Sequence, residues 1–139
     1  MRLLKVTGMA SMVVLGLSAC SDNQPVLSKT EANALSIQDF AVTACHSFLN
    51  ENFEQLAITM EEKYLTELKE LHDQEQDSWG DLSEKITCTV NSQKTIKAFG
   101  FKSEMFKFNS NGNAALNISI AETNGQKLVD GFHINGFDS

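Results

Sequence analysis

The chain has 139 residues, a length that suits one domain. It carries 11 basic and 18 acidic residues, a formal net charge of −7, and 42% of it is apolar. That balance argues against a nucleic-acid binder, which needs a positive field to release counterions from phosphates. It also argues against a disordered acidic tail, because Phe, Leu and Ile recur with clear periods.

Residues 1–19 read as a secretory signal. Arg2 and Lys5 form a positive n-region, and Met9 to Ala19 is an apolar run with small residues interspersed. The run is too short to span a bilayer, which needs about 20 apolar residues. Small residues precede Cys20 and suit a signal peptidase. Leu17-Ser18-Ala19-Cys20 resembles the lipobox of bacterial lipoproteins. The resemblance implies cleavage before Cys20 and lipidation of that cysteine, with palmitate among the chains. Several acyl chains make a stable anchor where one alone is marginal. The alternative is an ordinary cleaved signal followed by a chance cysteine. In such lipoproteins an Asp after the cysteine retains the protein in the inner membrane. Ser21 stands here, which favours the periplasmic face of the outer membrane, although Asp22 follows.

Removal of Arg2 and Lys5 leaves nine basic against 18 acidic residues. By net charge, that remainder would be repelled by an anionic membrane surface. Residues 20–30 read as a tether, polar and without periodicity, in which Pro25 discourages helix.

Lipidation of Cys20 leaves Cys45 and Cys88. The compartment outside the inner membrane is oxidising, so the two are expected to form a disulfide. Two buried thiols are the alternative. No Cys-x-x-Cys spacing points to redox catalysis. No short-spaced His and Cys set points to zinc. No metal and no cofactor is expected.

The folded domain is expected over 31–139. Ser36-Ile37-Gln38-Asp39 reads as a capping box opening a helix. Ile37, Phe40, Ala41, Ala44, Cys45, Phe48 and Leu49 then follow a 3.6-residue period, which leaves His46 on the solvent side. Asn50-Glu51-Asn52 breaks the pattern. Asn52 can cap a second helix, whose stripe is Phe53, Leu56, Ala57, Met60, Tyr64, Leu68 and Leu71. Thr59-Met60-Glu61-Glu62 is a further capping box within it. Glu67 falls inside the stripe by phase. It either leans out to pair with Lys63 at i, i+4 or aims a carboxylate into a cavity. Residues 72–81, with His72, read as a solvated turn, and Trp79 as a cover for one end of the core.

The period then switches to two. Ile86, Cys88 and Val90 mark a first strand, and Asn91-Ser92-Gln93 a turn. Thr95 to Asn109 reads as a long strand or two short ones, with a bulge or close approach at Gly100. Asn111-Gly112 and Asn124-Gly125 are tight-hairpin signals. Leu116, Ile118 and Ile120 alternate between them. Leu128 to Phe137 is the last strand, in which Asp130 shares the inward parity of Phe132 and Ile134 unless a bulge at Gly131 turns it out. The fold class expected is α+β: N-terminal helices packed on a curved antiparallel sheet of about four strands.

Two stretches, Phe48-Leu49-Asn50-Glu51-Asn52-Phe53-Glu54-Gln55-Leu56 and Gly131-Phe132-His133-Ile134-Asn135-Gly136-Phe137, resemble small exported members of the NTF2-like, or cystatin-like, superfamily. The resemblance implies a sheet curved into a cone around the first helix, with an open end. A pocket in that cone would draw on Phe48, Tyr64, Glu67, Phe101, Phe106, Ile118 and Asp130. Enzymes of the superfamily bring an Asp and a His together in the cone. Here His133 has the opposite strand parity to Asp130, so no catalytic residue is assigned. The expectation is a lipid-anchored, periplasm-facing interaction or accessory module with a protein partner in the envelope and no nucleic acid. A small-molecule binder using the cone is the alternative. A hydrolase or isomerase using Glu67 or Asp130 ranks third.

Overall fold

A computed structural model describes residues 25–137. The leader, Cys20 and the start of the tether lie outside the described residues, so the expectations placed on them concern parts that the structure does not describe.

The chain joins the domain earlier than residue 31. Leu27 donates its backbone N–H to Gln55 Oε1 at 2.7 Å, and Gln55 Nε2 donates back to the Leu27 carbonyl. Ser28 then caps a short helix, α1 (Lys29–Asn33), through a complete capping box with Glu31. Leu27 and Ser28, expected in the tether, are thus fastened to the domain, Leu27 by a glutamine side chain that supplies the backbone partners a free linker would take from water.

Helix α2 (Ile37–Leu49) starts where Ser36 Oγ accepts the Asp39 N–H. It buries Phe40, Ala41, Ala44, Cys45 and Phe48 and leaves His46 exposed. Helix α3 (Phe53–Thr59) is capped by Asn52. It ends at Met60, which is extended and forms a parallel bridge to Val129. Glu61 donates its N–H to the Val129 carbonyl. The Thr59–Glu62 capping box does not form, because the sheet edge claims this segment and α4 (Glu62–Gln74) begins at Glu61 without a side-chain cap.

Residues 72–81 are not a solvated turn. Helix α4 runs through His72, and α5 (Gln76–Lys85) follows, burying Trp79 and Leu82. Trp79 donates its indole N–H to the Phe48 carbonyl at 2.9 Å, in the last turn of α2, where that carbonyl also accepts the Glu51 N–H at 3.4 Å. His72 packs edge-on between Phe53 and Trp79 and hydrogen-bonds Glu51 at 2.7 Å. Burial of these rings holds a polar stretch in helix.

The sheet is a four-stranded antiparallel meander, β1 (Ile86–Ala98), β2 (Phe101–Ser110), β3 (Ala115–Thr123) and β4 (Gln126–Asn135), in spatial order β1-β2-β3-β4. The helices cover one face, on which Phe106, Phe108, Leu116, Ile118, Ile120 and Val129 are buried. The domain is α+β, with helices preceding a curved sheet. The disulfide Cys45–Cys88, with Cα atoms 5.7 Å apart, ties α2 to β1.

Asn91-Ser92-Gln93 does not turn the chain. The strand continues through it with register shifts between Thr87 and Val90 and between Val90 and Ser92. These irregularities bend the strand rather than end it. Gly100 is no bulge either. Phe99 and Gly100 have φ of 51° and 81°, so they are the two central residues of the β1–β2 hairpin. Asn124 and Gly125, at 54° and 78°, make the same turn between β3 and β4. Asn111-Gly112 lies in a four-residue connection rather than a two-residue turn, and the Asn111 N–H is taken by the Lys85 carbonyl. Glycine is required at position 136, where φ is 116° and a Cβ would stand 2.7 Å from Ala114 Cα.

Candidate functional site

The expected cone interior is filled. Phe48, Phe106 and Ile118 are 1%, 0% and 0% exposed, and Phe48 meets Phe132 edge-on at 5.4 Å. Tyr64 is half-buried, with the Lys63 ammonium 5.1 Å from its ring centre. Glu67 is exposed on α4. Phe101 is 79% exposed near a hairpin tip. The residues expected around one cavity are therefore divided among core, helix surface and hairpin.

Asp130 is the extra residue of a bulge. Gly131 pairs with Ser119 and Val129 with Ile120, leaving Asp130 between them. The bulge reverses side-chain parity, so Val129 before it and Phe132 after it both face the core. Asp130 leaves the helix-covered face and its Oδ2 accepts the Ser103 hydroxyl at 2.6 Å. Its Oδ1, and Oδ1 of Asn117, are buried without a hydrogen-bond partner. The histidine–carboxylate contact that does form is His72 with Glu51, on the helical side.

An open cleft of about 460 Å³ lies where the sheet runs past the start of α2. It is lined by Ile37, Gln93, Thr95, Lys102, Glu104, Ile120 and Glu122. Glu104 accepts from Gln93 Nε2 at 3.0 Å and from Thr95 Oγ1 at 3.1 Å. These two bonds, Gln93's first, hold its carboxyl below the ordinary glutamate value of 4.5, helped by the Lys102 charge. The cleft offers one ammonium and two carboxylates over two isoleucines. It suits a small polar or zwitterionic ligand better than an apolar one.

The β1–β2 tip is the second feature. Phe99 is 98% exposed and Phe101 79%, and Lys97 pairs directly with Lys102 across the strands. The composition of the chain concealed this group. Four of the lysines beyond the leader, Lys94, Lys97, Lys102 and Lys107, fall in one hairpin whose only carboxylate is Glu104. That clustering was readable, but its placement beside two phenylalanines depended on the position of the turn. The residues of the cleft gave no such signal, since Gln93 and Thr95 looked like a turn and its exit.

No protein-family model, curated protein or solved structure matches this chain. Among the described residues no helix is long and apolar enough to cross a membrane. No group of three or more metal-ligating side chains converges among them.

Proposed function

We propose that the protein is a lipid-anchored envelope module that acts by contact, not by catalysis, held through lipid on Cys20 at the periplasmic face of the outer membrane. The observation that carries this reading is the inverted use of the aromatic residues. Phe48, Phe106 and Ile118 are packed in the core beneath the helices, while Phe99 and Phe101 stand in solvent, where they can meet another surface. The anchor itself rests on the Leu17–Cys20 motif and on the leader before it. The helices-before-sheet order is compatible with the resemblance to the NTF2-like, or cystatin-like, superfamily, which includes accessory domains with no known activity. Among the described residues, Asp130 is engaged by Ser103 and Glu67 is exposed, and neither is hydrogen-bonded to a histidine of the kind acid–base chemistry would use. Palmitate labelling of the wild type and of Cys20→Ser tests the anchor, and equal labelling would refute it. Crosslinking in envelope fractions tests the contact role: a reproducible partner is expected, and its absence would count against the reading.

The cleft supports a second reading, a small-molecule binder. Native mass spectrometry would then show a bound species that Lys102→Ala releases.

A further inference from the structure

We propose that the β1–β2 hairpin tip is a second membrane contact, seating Phe99 and Phe101 in an anionic phospholipid surface with Lys94, Lys97 and Lys102 among the headgroups. The turn geometry is the first argument. Bulky residues rarely adopt positive φ, and Phe99 does so at 51° while making no compensating burial. The other hairpin fills the equivalent position with Asn124, which tolerates that conformation. Folding alone therefore gives no reason for a phenylalanine at position 99. Strain at an exposed position points to use of the side chain.

The charges next to the turn are the second argument. Lys97 opposes Lys102 directly, an arrangement that like-charge repulsion disfavours. Both lysines flank the apolar tip, one residue from Ala98 and Phe101. An apolar point with a cationic collar matches the layering of a bilayer surface, where anionic headgroups overlie acyl chains. The chain as a whole is acidic, and among the described residues this hairpin gathers four lysines, Lys94, Lys97, Lys102 and Lys107, against one carboxylate, Glu104. The repulsion expected from net charge is thus overturned locally, since charges more than a Debye length of about 10 Å away are largely screened.

The third argument is where the chain enters. In a meander the β1–β2 and β3–β4 turns share one end of the sheet. Asn33 fastens to that end: its Oδ1 accepts the Lys127 N–H and its carbonyl accepts the Lys127 ammonium, both at 2.8 Å. Leu27, where the chain joins the domain, lies only six residues earlier. The segment from Cys20 to Leu27 spans at most about 25 Å, so an anchored domain stands with this end toward the lipid. In this respect the inference rests on the anchored reading. The tip contact then fixes how the domain stands, with the β2–β3 loop roughly 30 Å from the bilayer.

The test places Phe99→Trp in the mature lipidated protein, reconstituted in vesicles of phosphatidylethanolamine and phosphatidylglycerol. The native Trp79 is buried against Phe48 and gives a constant background. The introduced indole should shift its emission to the blue and be quenched by brominated acyl chains. Emission typical of water, without quenching, would overturn the proposal. In the unlipidated Cys20→Ser chain added to the same vesicles, Phe99→Asn and Phe101→Ser should each lower partitioning roughly tenfold. Lys97→Gln and Lys102→Gln should each lower it about fivefold, and not at all on phosphatidylcholine alone. Equal partitioning of all variants would overturn the proposal, as would photocrosslinking from position 99 to an envelope protein instead of lipid. Circular dichroism confirms that each variant folds. Failure of palmitate labelling would remove the anchor and leave the vesicle result for the unlipidated chain intact, so the two ideas fail separately.

Discussion

The two hairpin tips of this sheet share a backbone and differ in everything else. Phe99-Gly100 and Asn124-Gly125 both place two residues at positive φ, 51° and 81° against 54° and 78°. One presents an aromatic ring flanked by Phe101 and lysines. The other presents an amide flanked by Thr123, Glu122 and Gln126. Asn-Gly is the pair that turn chemistry favours. Phe-Gly is not, so the β1–β2 turn is held by strand pairing against the preference of its own first residue. The difference separates a turn chosen for folding from one whose side chain must be accounted for by something outside the domain.

Both tips hang from one frame, and breaking the frame has the largest expected effect. The Cys45–Cys88 bond fixes the base of β1 to α2. Cys45→Ser with Cys88→Ser should lower stability by about 3–4 kcal/mol in chemical denaturation without favouring either tip. A loss below about 1 kcal/mol would mean that the link adds little to the packing around it. Next comes the shared backbone. Gly100→Ala and Gly125→Ala should each destabilise by about 1–2 kcal/mol, and by equal amounts if the two turns are equivalent. Unequal losses would break the comparison.

The side chains give smaller effects of opposite sign. Phe99→Asn should stabilise the domain, and Asn124→Phe destabilise it, by about 0.5–1 kcal/mol each in thermal unfolding. A stability loss in Phe99→Asn would mean that the ring contributes to folding after all. Lys97→Glu turns a repulsive cross-strand pair into an attractive one and should add about 0.2–1 kcal/mol. It should be measured at low salt, where screening is weakest.

The smallest effect is a titration. Glu104 should protonate below 4.5, and Gln93→Ala should move it up more than Thr95→Val does, read by carboxyl chemical shifts. Its folded value is depressed, so whatever stability it adds is present above 4.5 and is lost as pH falls through the folded value.

The helix-facing core was legible because its residues obey a period. Phe40, Ala44 and Phe48 on α2, and Leu116, Ile118 and Ile120 on β3, are buried as their spacing predicts. The disulfide followed from counting cysteines, and Ser36 from cap chemistry. The outer part of β1 was hidden, because a strand reads as a strand only where one face is apolar. Gln93 and Thr95 face the open cleft instead of the core, so their alternation carries no hydrophobic signal. Helix α5 was hidden for a related reason, since its polar composition masks the spacing of Trp79 and Leu82. Phe101, expected in a pocket with Phe106, is exposed instead, because it follows the hairpin turn. The group that stands out instead combines residues 94–102 across a turn whose position the sequence did not mark.

By itself the sequence determined the α+β order, the apolar stripes and the pairing of Cys45 with Cys88. Those features depend on residue type and local spacing, which a chain carries whether folded or not. Tertiary structure decided that Phe101 stands apart from Phe48 and Phe106, that Asp130 leaves the helix-covered face at a bulge, and that Phe99 stands exposed among lysines. Each of these turns on strand register, in which a one-residue slip sends every side chain to the opposite face.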